Sequence, residues 1–158
     1  MLRLNRTTEY GIFALRHLSQ KEGEESASAR EIADQFGLPF DITAKTLQRL
    51  KDAGLIASAQ GSRGGYRLNC SLQEVNLAEF LELMEGPQSV VACADSELTA
   101  SGQGCAFSGR CQISSVLKGL DARVKAMLAT VKLSEFAADS HASLSFSSAD
   151  TAAAGVLI

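Results

Sequence analysis

The sequence has none of the long apolar segments of a membrane-spanning or exported chain. No apolar run approaches the ~20 residues that a transmembrane helix needs. The N-terminal segment is interrupted by Arg3, Arg6, Glu9 and Arg16, so it contains no apolar core of a signal peptide. We therefore expect a cytoplasmic protein with no membrane partner.

The four cysteines lack the short spacings of common thiol sites. No Cys-x-x-Cys pair or zinc-knuckle spacing is present, which argues against thioredoxin-like chemistry and structural zinc. Three of the four, Cys93, Cys105 and Cys111, lie among Gly and Ser in the spacing Cys-x11-Cys-x5-Cys. In a reducing cytosol such clustered thiols indicate metal, cluster or redox chemistry. Cys70 stands apart, and we expect it to be a small, partly buried residue.

The charge of the chain is unevenly distributed. The net charge of −3 gives no general attraction to nucleic acid, but residues 1–70 carry ten Lys/Arg against eight Asp/Glu. Residues 71–158 carry five against ten. Attraction to DNA depends on local basic charge, so any phosphate-facing surface is expected in the first half, and within residues 41–70 above all.

Hydrophobic spacing and turn residues predict helices and a hairpin in the first half. A first helix over residues 9–20 follows a cap at Thr7 or Thr8, and a second over residues 29–36 follows Ser28, which forms a capping box with Glu31. A third helix ends near Gly54, with a buried stripe of Ile42, Leu47 and Leu50. Strands over residues 55–59 and 66–68 flank a turn whose paired glycines, Gly64 and Gly65, are expected to supply positive φ.

The second half divides into a helix, a cysteine-bearing segment, a long helix and a tail. A fourth helix ends at Gly86-Pro87. Residues 87–111, the cysteine loop, show no periodicity, and a loop this long is usually functional. Residues 112–138 form an amphipathic helix whose wide apolar face predicts dimerisation, and residues 139–158 are expected to be a disordered tail. Residues 1–86, which contain the first four helices and the hairpin, are predicted to form the DNA-binding domain.

The order of elements is that of a winged helix-turn-helix domain. The predicted class is mainly α with a small β-wing, in which the third helix enters the major groove of DNA. Candidate DNA contacts on this helix are Thr43, Lys45, Thr46, Gln48 and Arg49. Arg63 at the hairpin tip is placed to enter a minor groove, beside Tyr66. The alternative is an ordinary α+β domain without a DNA role.

The residues from Ala29 to Leu68 resemble the DNA-binding half of the Rrf2 family of bacterial regulators. The family's wing pattern Gly-x-x-Gly-Gly-Tyr-x-Leu is matched from Gly61 to Leu68. The opening LNRTTEYG and the later LMEGP are also similar to members that resemble NsrR and the regulators of suf operons. The resemblance covers about residues 1–138. It implies a homodimeric transcription regulator, expected to be a repressor, that binds operator DNA and carries an iron–sulfur cluster.

The resemblance also implies which residues hold that cluster, of the 2Fe-2S or 4Fe-4S type. Cys93, Cys105 and Cys111 match its cysteine ligands. Members that resemble IscR add a histidine three residues after the third cysteine, where this chain has Ser114. Members that resemble NsrR use an acidic residue of the partner's first helix, which corresponds to Glu9. Otherwise Glu9 is a first-turn carboxylate that complements the helix dipole.

Two further functions compete with the cluster-sensing regulator. One keeps DNA binding but replaces the cluster with a thiol switch, in which Cys93 or Cys105 pairs with Cys111. The other is an iron–sulfur carrier or assembly accessory without a DNA role. An enzyme is not expected, because no nucleophile–base pair, phosphate loop or carboxylate constellation is present.

Overall fold

The computed structural model describes residues 4–21, 25–59, 64–95, 100–102, 105–107 and 109–137. Helices and a two-stranded antiparallel sheet form the described part, which confirms a mainly α fold with a small β-wing. The elements in chain order are α1 (Arg6–Ser19), α2 (Ala29–Phe36), α3 (Phe40–Asp52), β1 (Ile56–Ala59), β2 (Gly65–Leu68), α4 (Leu77–Glu85), α5 (Ser114–Thr130) and α6 (Ser134–Ala137).

Helix α1 begins three residues earlier than the sequence predicts. Asn5, rather than Thr7 or Thr8, is the cap, and its side chain accepts a hydrogen bond from the Thr8 backbone N–H. Thr8 itself is buried, and its hydroxyl contacts a carboxylate oxygen of Glu85 at the end of α4. The same oxygen accepts the Asn5 N–H at 3.0 Å. The start of α1 is therefore held by its own cap and also by Glu85, which is distant in sequence.

Helices α2 and α3 form the helix-turn-helix. Ser28 caps α2 as predicted, accepting a hydrogen bond from the Glu31 N–H. The helix ends at Gly37, whose φ of 63° lies in the left-handed region that glycine adopts without strain. Helix α3 packs against both α1 and α2. This packing buries one side of α3 and leaves the opposite side exposed to solvent.

The wing is anchored to the helical body through Ala27. Strands β1 and β2 pair in the register Ile56 with Leu68 and Ala59 with Gly65. The backbone of Ala27 exchanges two hydrogen bonds with Tyr66, at 2.9 and 2.8 Å. Gly65 has no positive φ, contrary to the sequence expectation. A Cβ at Gly65 would lie 2.6 Å from the Ala27 carbonyl oxygen, so this crossing requires a residue without a side chain.

The long helix returns the chain to the winged-helix unit. It ends at Thr130, earlier than predicted, and the following residues pair with the segment that precedes α4. Leu77 N–H donates to the Val131 carbonyl at 2.8 Å, and Leu133 N–H donates to the Val75 carbonyl at 3.0 Å. Leu133 is buried in the main core. The end of α5 is thus part of the domain that carries α3.

No helix within the described ranges is both long and apolar enough to cross a membrane. The predicted disordered tail, residues 139–158, lies outside the described residues.

Candidate DNA interface and cysteine loop

The outer face of α3 carries the polar side chains expected of a DNA-reading helix. This face consists of the exposed residues Asp41, Ile42, Lys45, Gln48, Arg49 and Asp52. Lys45 and Arg49 are four residues apart and therefore share one side of the helix. The Gln48 amide donates to the Asp52 carboxylate at 2.7 Å, so this bond must open before Gln48 reads a base. The face therefore presents two cations, one amide and two carboxylates across the width of one helix.

Thr43 and Thr46 do not lie on this face, contrary to the sequence expectation. Each is at most 1% exposed, and each packs with the core side of α3 beside Leu47 and Leu50. Their hydroxyls donate to the carbonyls of Pro39 and Ile42, at 2.9 and 2.8 Å. Because these polar groups are satisfied within the helix, the methyl groups are free to pack inward. The prediction that these two threonines face outward is wrong.

Ile42 departs from its predicted position in the opposite sense to the two threonines. Its spacing with Leu47 and Leu50 predicts a place in the buried stripe, but 41% of its surface is exposed. The inner stripe runs through Thr43, Thr46, Leu47 and Leu50, which places Ile42 outside it. The apolar side chain therefore lies on the outer face of α3.

Of the two candidate DNA contacts in the wing, the structure describes only Tyr66. Arg63 lies outside the described residues. Tyr66 is half-buried on β2, and it packs against the core while its backbone holds Ala27. Its position in the sheet is set by the pairing of Tyr66 with Ser58.

A further cationic residue next to α3 escaped the sequence analysis. The guanidinium carbon of Arg30, in the first turn of α2, lies 4.5 Å from the centroid of the Phe40 ring at the start of α3. Such a cation–π contact holds a flexible side chain in place. The sequence gives no signal for it, because the contact depends on the angle at which α2 meets α3.

The cysteine loop carries three free thiols of intermediate exposure at Cys93, Cys105 and Cys111. Within the part of the chain that the structure describes, no three His, Cys, Asp or Glu side chains lie close enough together to hold one metal ion. Thiolates are nevertheless soft donors of the kind that iron–sulfur clusters require. The described residues therefore supply suitable sulfur donors, but these donors do not converge on one position.

The start of the cysteine loop is fastened to α5 by Asp121. This carboxylate is only 4% exposed and accepts the Val90 N–H at 2.6 Å. Lys125 pairs with its other oxygen at 2.8 Å and also donates to the Ser89 hydroxyl at 3.3 Å. Burial acts to raise the pKa of Asp121, but the hydrogen bonds from Lys125 and Val90 outweigh it and lower the pKa below its ordinary value. The loop and the long helix are thereby linked three residues before Cys93.

Glu9 projects from the first turn of α1. Its carboxylate pairs with Arg6 at 2.7 Å, and it is about one-third exposed. A ligand role for Glu9 requires this exposed ion pair to open, at a small cost because such pairs contribute little to stability.

His17 is engaged elsewhere in the helical body. Its ring nitrogen Nε2 lies 3.0 Å from the Glu31 carboxylate, which also accepts a hydrogen bond from Lys21 at 2.7 Å. The hydrogen bond from Lys21, followed by that from His17, lowers the pKa of Glu31. This group ties α1 to α2. The other histidine, His141, lies outside the described residues.

Cys70 has the structural surroundings that the sequence analysis predicts. It is partly buried after β2, and its thiol lies 3.6 Å from the Leu55 carbonyl oxygen. Burial, together with the charge of Glu74, raises the pKa of the Cys70 thiol and so disfavours the reactive thiolate. Cys70 is a natural control for the three cysteines of the loop.

Comparison with known proteins gives one consistent family. A family model named Rrf2, described as an iron-dependent transcriptional regulator, matches residues 4–139. The chain is 26% identical over 118 residues to the HTH-type transcriptional repressor NsrR of Streptomyces coelicolor, covering 74% of this chain and 76% of the relative. It is 22% identical over 140 residues to the regulator IscR of Aliivibrio salmonicida, covering 89% and 80%.

A solved structure confirms the fold. CymR (YrzC), the global cysteine regulator of B. subtilis, superposes with a TM-score of 0.67 at 22% identity, covering 87% of this chain and 97% of that one. These relatives are transcriptional regulators rather than enzymes, as the sequence analysis predicts.

Proposed function

The chain belongs to the Rrf2 family of DNA-binding transcriptional regulators, and we propose that it is a cytoplasmic, homodimeric repressor whose operator affinity depends on an iron–sulfur cluster at the cysteine loop. The observation that carries the proposal is the combination, in one chain, of an exposed polar face on α3 with three free thiols in the loop. The loop is also fastened to α5, which joins the domain that carries α3.

The DNA-binding part of the proposal rests on the outer face of α3. Lys45 and Arg49 supply positive charge for phosphate contacts, and Gln48 supplies an amide that can read base edges. Arg30, held over Phe40, adds a further cation near the start of α3. In a homodimer two such helices would contact two half-sites about one helical turn of DNA apart.

The sensing part rests on the chemistry of the donors. Cys93, Cys105 and Cys111 would hold the iron atoms through their thiolates, and Glu9 of a second copy would be the fourth ligand. Because no three such donors converge within the described residues of the single chain, assembly requires the loop to close or the second copy to contribute. A bound cluster would supply a centre that responds to oxidants and small molecules.

The chain's own residues provide the link from the loop to DNA. Asp121 holds the Val90 backbone against α5, so a change in the loop acts on the long helix through this contact. Leu133, beyond α5, is packed in the core of the winged-helix unit. A displacement of the loop would therefore alter the relative placement of the two α3 helices in the dimer.

The experiment compares Cys105→Ala with Cys70→Ala in protein purified and reconstituted without oxygen. We expect the wild type and Cys70→Ala to bind iron and sulfide, to absorb in the visible range and to bind promoter DNA in a cluster-dependent way. Cys105→Ala should lose the visible absorbance. A wild type that stays colourless and iron-free after reconstitution would contradict the cluster.

A thiol switch is the second candidate, favoured by the free, half-buried state of the three loop cysteines. In this case peroxide would oxidise Cys93 or Cys105 together with Cys111 to a disulfide, while the peroxide is reduced to water. Non-reducing mass spectrometry and DNA-binding measurements on peroxide-treated, metal-free protein distinguish the thiol switch from the cluster. Only the thiol switch predicts that the disulfide forms and that DNA affinity changes with it.

A further inference from the structure

The exposed side chain of Ile42 has no structural role that the fold explains. The inner side of α3 is filled by Thr43, Thr46, Leu47 and Leu50, all of them buried. Ile42 instead lies on the outer face, with 41% of its surface in contact with solvent. A branched aliphatic side chain at such a position leaves a large part of its apolar surface in water, where burial against a partner would be favourable.

Ile42 shares one side of the outer face with two cations. Lys45 is three residues and Arg49 seven residues further along the helix, so the three side chains form a single stripe. Ile42 stands at the N-terminal end of that stripe, and the N-terminal residues of a recognition helix are those that contact base edges. The two cations would seat the helix on the phosphates and bring Ile42 against the floor of the major groove.

Only one group in the major groove matches an aliphatic side chain. Adenine, guanine and cytosine present polar edges there, whereas thymine presents its C5-methyl group. We propose that Ile42 is a specificity-determining residue that contacts a thymine methyl in each half-site of the operator. The inference rests on the proposed DNA-binding function and deepens it, because it names the base that α3 selects.

The test removes each partner of this contact separately. Binding sites are first selected from random duplex DNA with the full-length, anaerobically prepared protein. Dissociation constants are then measured for wild type and Ile42→Ala on sites in which single thymines are replaced by uracil, which lacks the methyl group. Burial of one methyl group corresponds to about a fourfold change in affinity.

We expect the wild type to lose about fourfold in affinity at one symmetry-related thymine, and Ile42→Ala to be insensitive to that same replacement. Gln48→Ala is the matched control on the same helix, and it should retain the sensitivity of the wild type to uracil. The inference is overturned if the wild type tolerates uracil at every position, or if Ile42→Ala keeps the wild-type sensitivity. If no duplex is selected at all, the DNA-binding function itself fails, which separates the two conclusions.

Discussion

At the scale of single residues, Gly65 shows how closely the wing approaches the helical body. The Ala27 carbonyl passes so near to its Cα that a Cβ would come within 2.6 Å of the oxygen and 2.8 Å of the carbonyl carbon. Both atoms belong to the backbone, which the hydrogen bonds between Ala27 and Tyr66 hold in place. Relief of the clash would therefore require the wing to separate from Ala27.

We predict that Gly65→Ala lowers the free energy of unfolding by about 1–3 kcal/mol, the usual cost of overpacking. Gly119→Ala is the control, because a Cβ at this exposed position of α5 would meet nothing within 4 Å. It should stabilise the protein by up to about 1 kcal/mol through helix propensity. Urea unfolding measures both variants, and equal stability of Gly65→Ala and wild type would refute the close approach.

Ile42, Thr43 and Thr46 lie on the sides of α3 opposite to those that hydrophobic periodicity predicts. Hydrophobic periodicity places isoleucine inside and threonine outside, because it scores a hydroxyl as polar. In α3 the hydroxyls of Thr43 and Thr46 bond to carbonyls four residues earlier, so their apolar methyl groups can be buried. This local satisfaction of the hydroxyl is invisible to a pattern that counts only residue types.

At the scale of elements, Asp121 connects the long helix with the cysteine loop. Its pKa is lowered, so the folded protein favours the ionised carboxylate. A group of this kind contributes stability above its pKa in the unfolded chain, and the contribution disappears as the pH falls through the lower pKa of the folded state.

We predict that Asp121→Asn is less stable than wild type near neutral pH by about 1–3 kcal/mol, because a charged hydrogen-bond acceptor is lost. The difference should begin to shrink as the pH falls below about 4, where the carboxyl of the unfolded chain takes up its proton, and should vanish as the pH falls through the lower pKa of the folded protein. Urea unfolding at a series of pH values measures this convergence. Glu82→Gln, at an exposed carboxylate of α4, should not alter stability; a pH-independent deficit in Asp121→Asn would argue against the ion pair.

Helix ends were the least predictable part of each element. Local signals were sufficient at α2, where Ser28 and Gly37 define both ends. At α1 several residues could serve as the cap; Asn5 is the one used, and Glu85 from α4 binds the neighbouring Thr8. The end of α5 was also missed, because Val131 bonds to Leu77 across the fold. Contacts between distant segments decide such ends.

At the scale of the whole molecule, α5 presents an apolar stripe that is exposed among the described residues. Ile113, Val116, Leu120 and Met127 are all exposed, and Val116 reaches 70%. Their spacing places them along one side of the helix, next to the side that Asp121 and Leu128 bury. A second copy of this chain would remove this surface from water.

We predict that Val116→Asp converts the proposed homodimer into monomers, because it places a charge in the proposed apolar interface. Ala122→Asp is the control, since this exposed residue lies on a different side of α5. Analytical ultracentrifugation should give a monomer for Val116→Asp and a dimer for Ala122→Asp. A dimeric Val116→Asp variant would place the interface elsewhere.

The sequence by itself determined the first five helices and the two strands, their order, the family and the isolation of the three loop cysteines from Cys70. These follow from periodicity, turn residues and motif spacing, which are properties of neighbouring residues. Only the tertiary structure decided which side of α3 faces outward, why Gly65 must lack a side chain and how Asp121 fastens the cysteine loop. Each of these depends on packing and hydrogen bonds between segments that are remote in the chain, for which local sequence carries no signal.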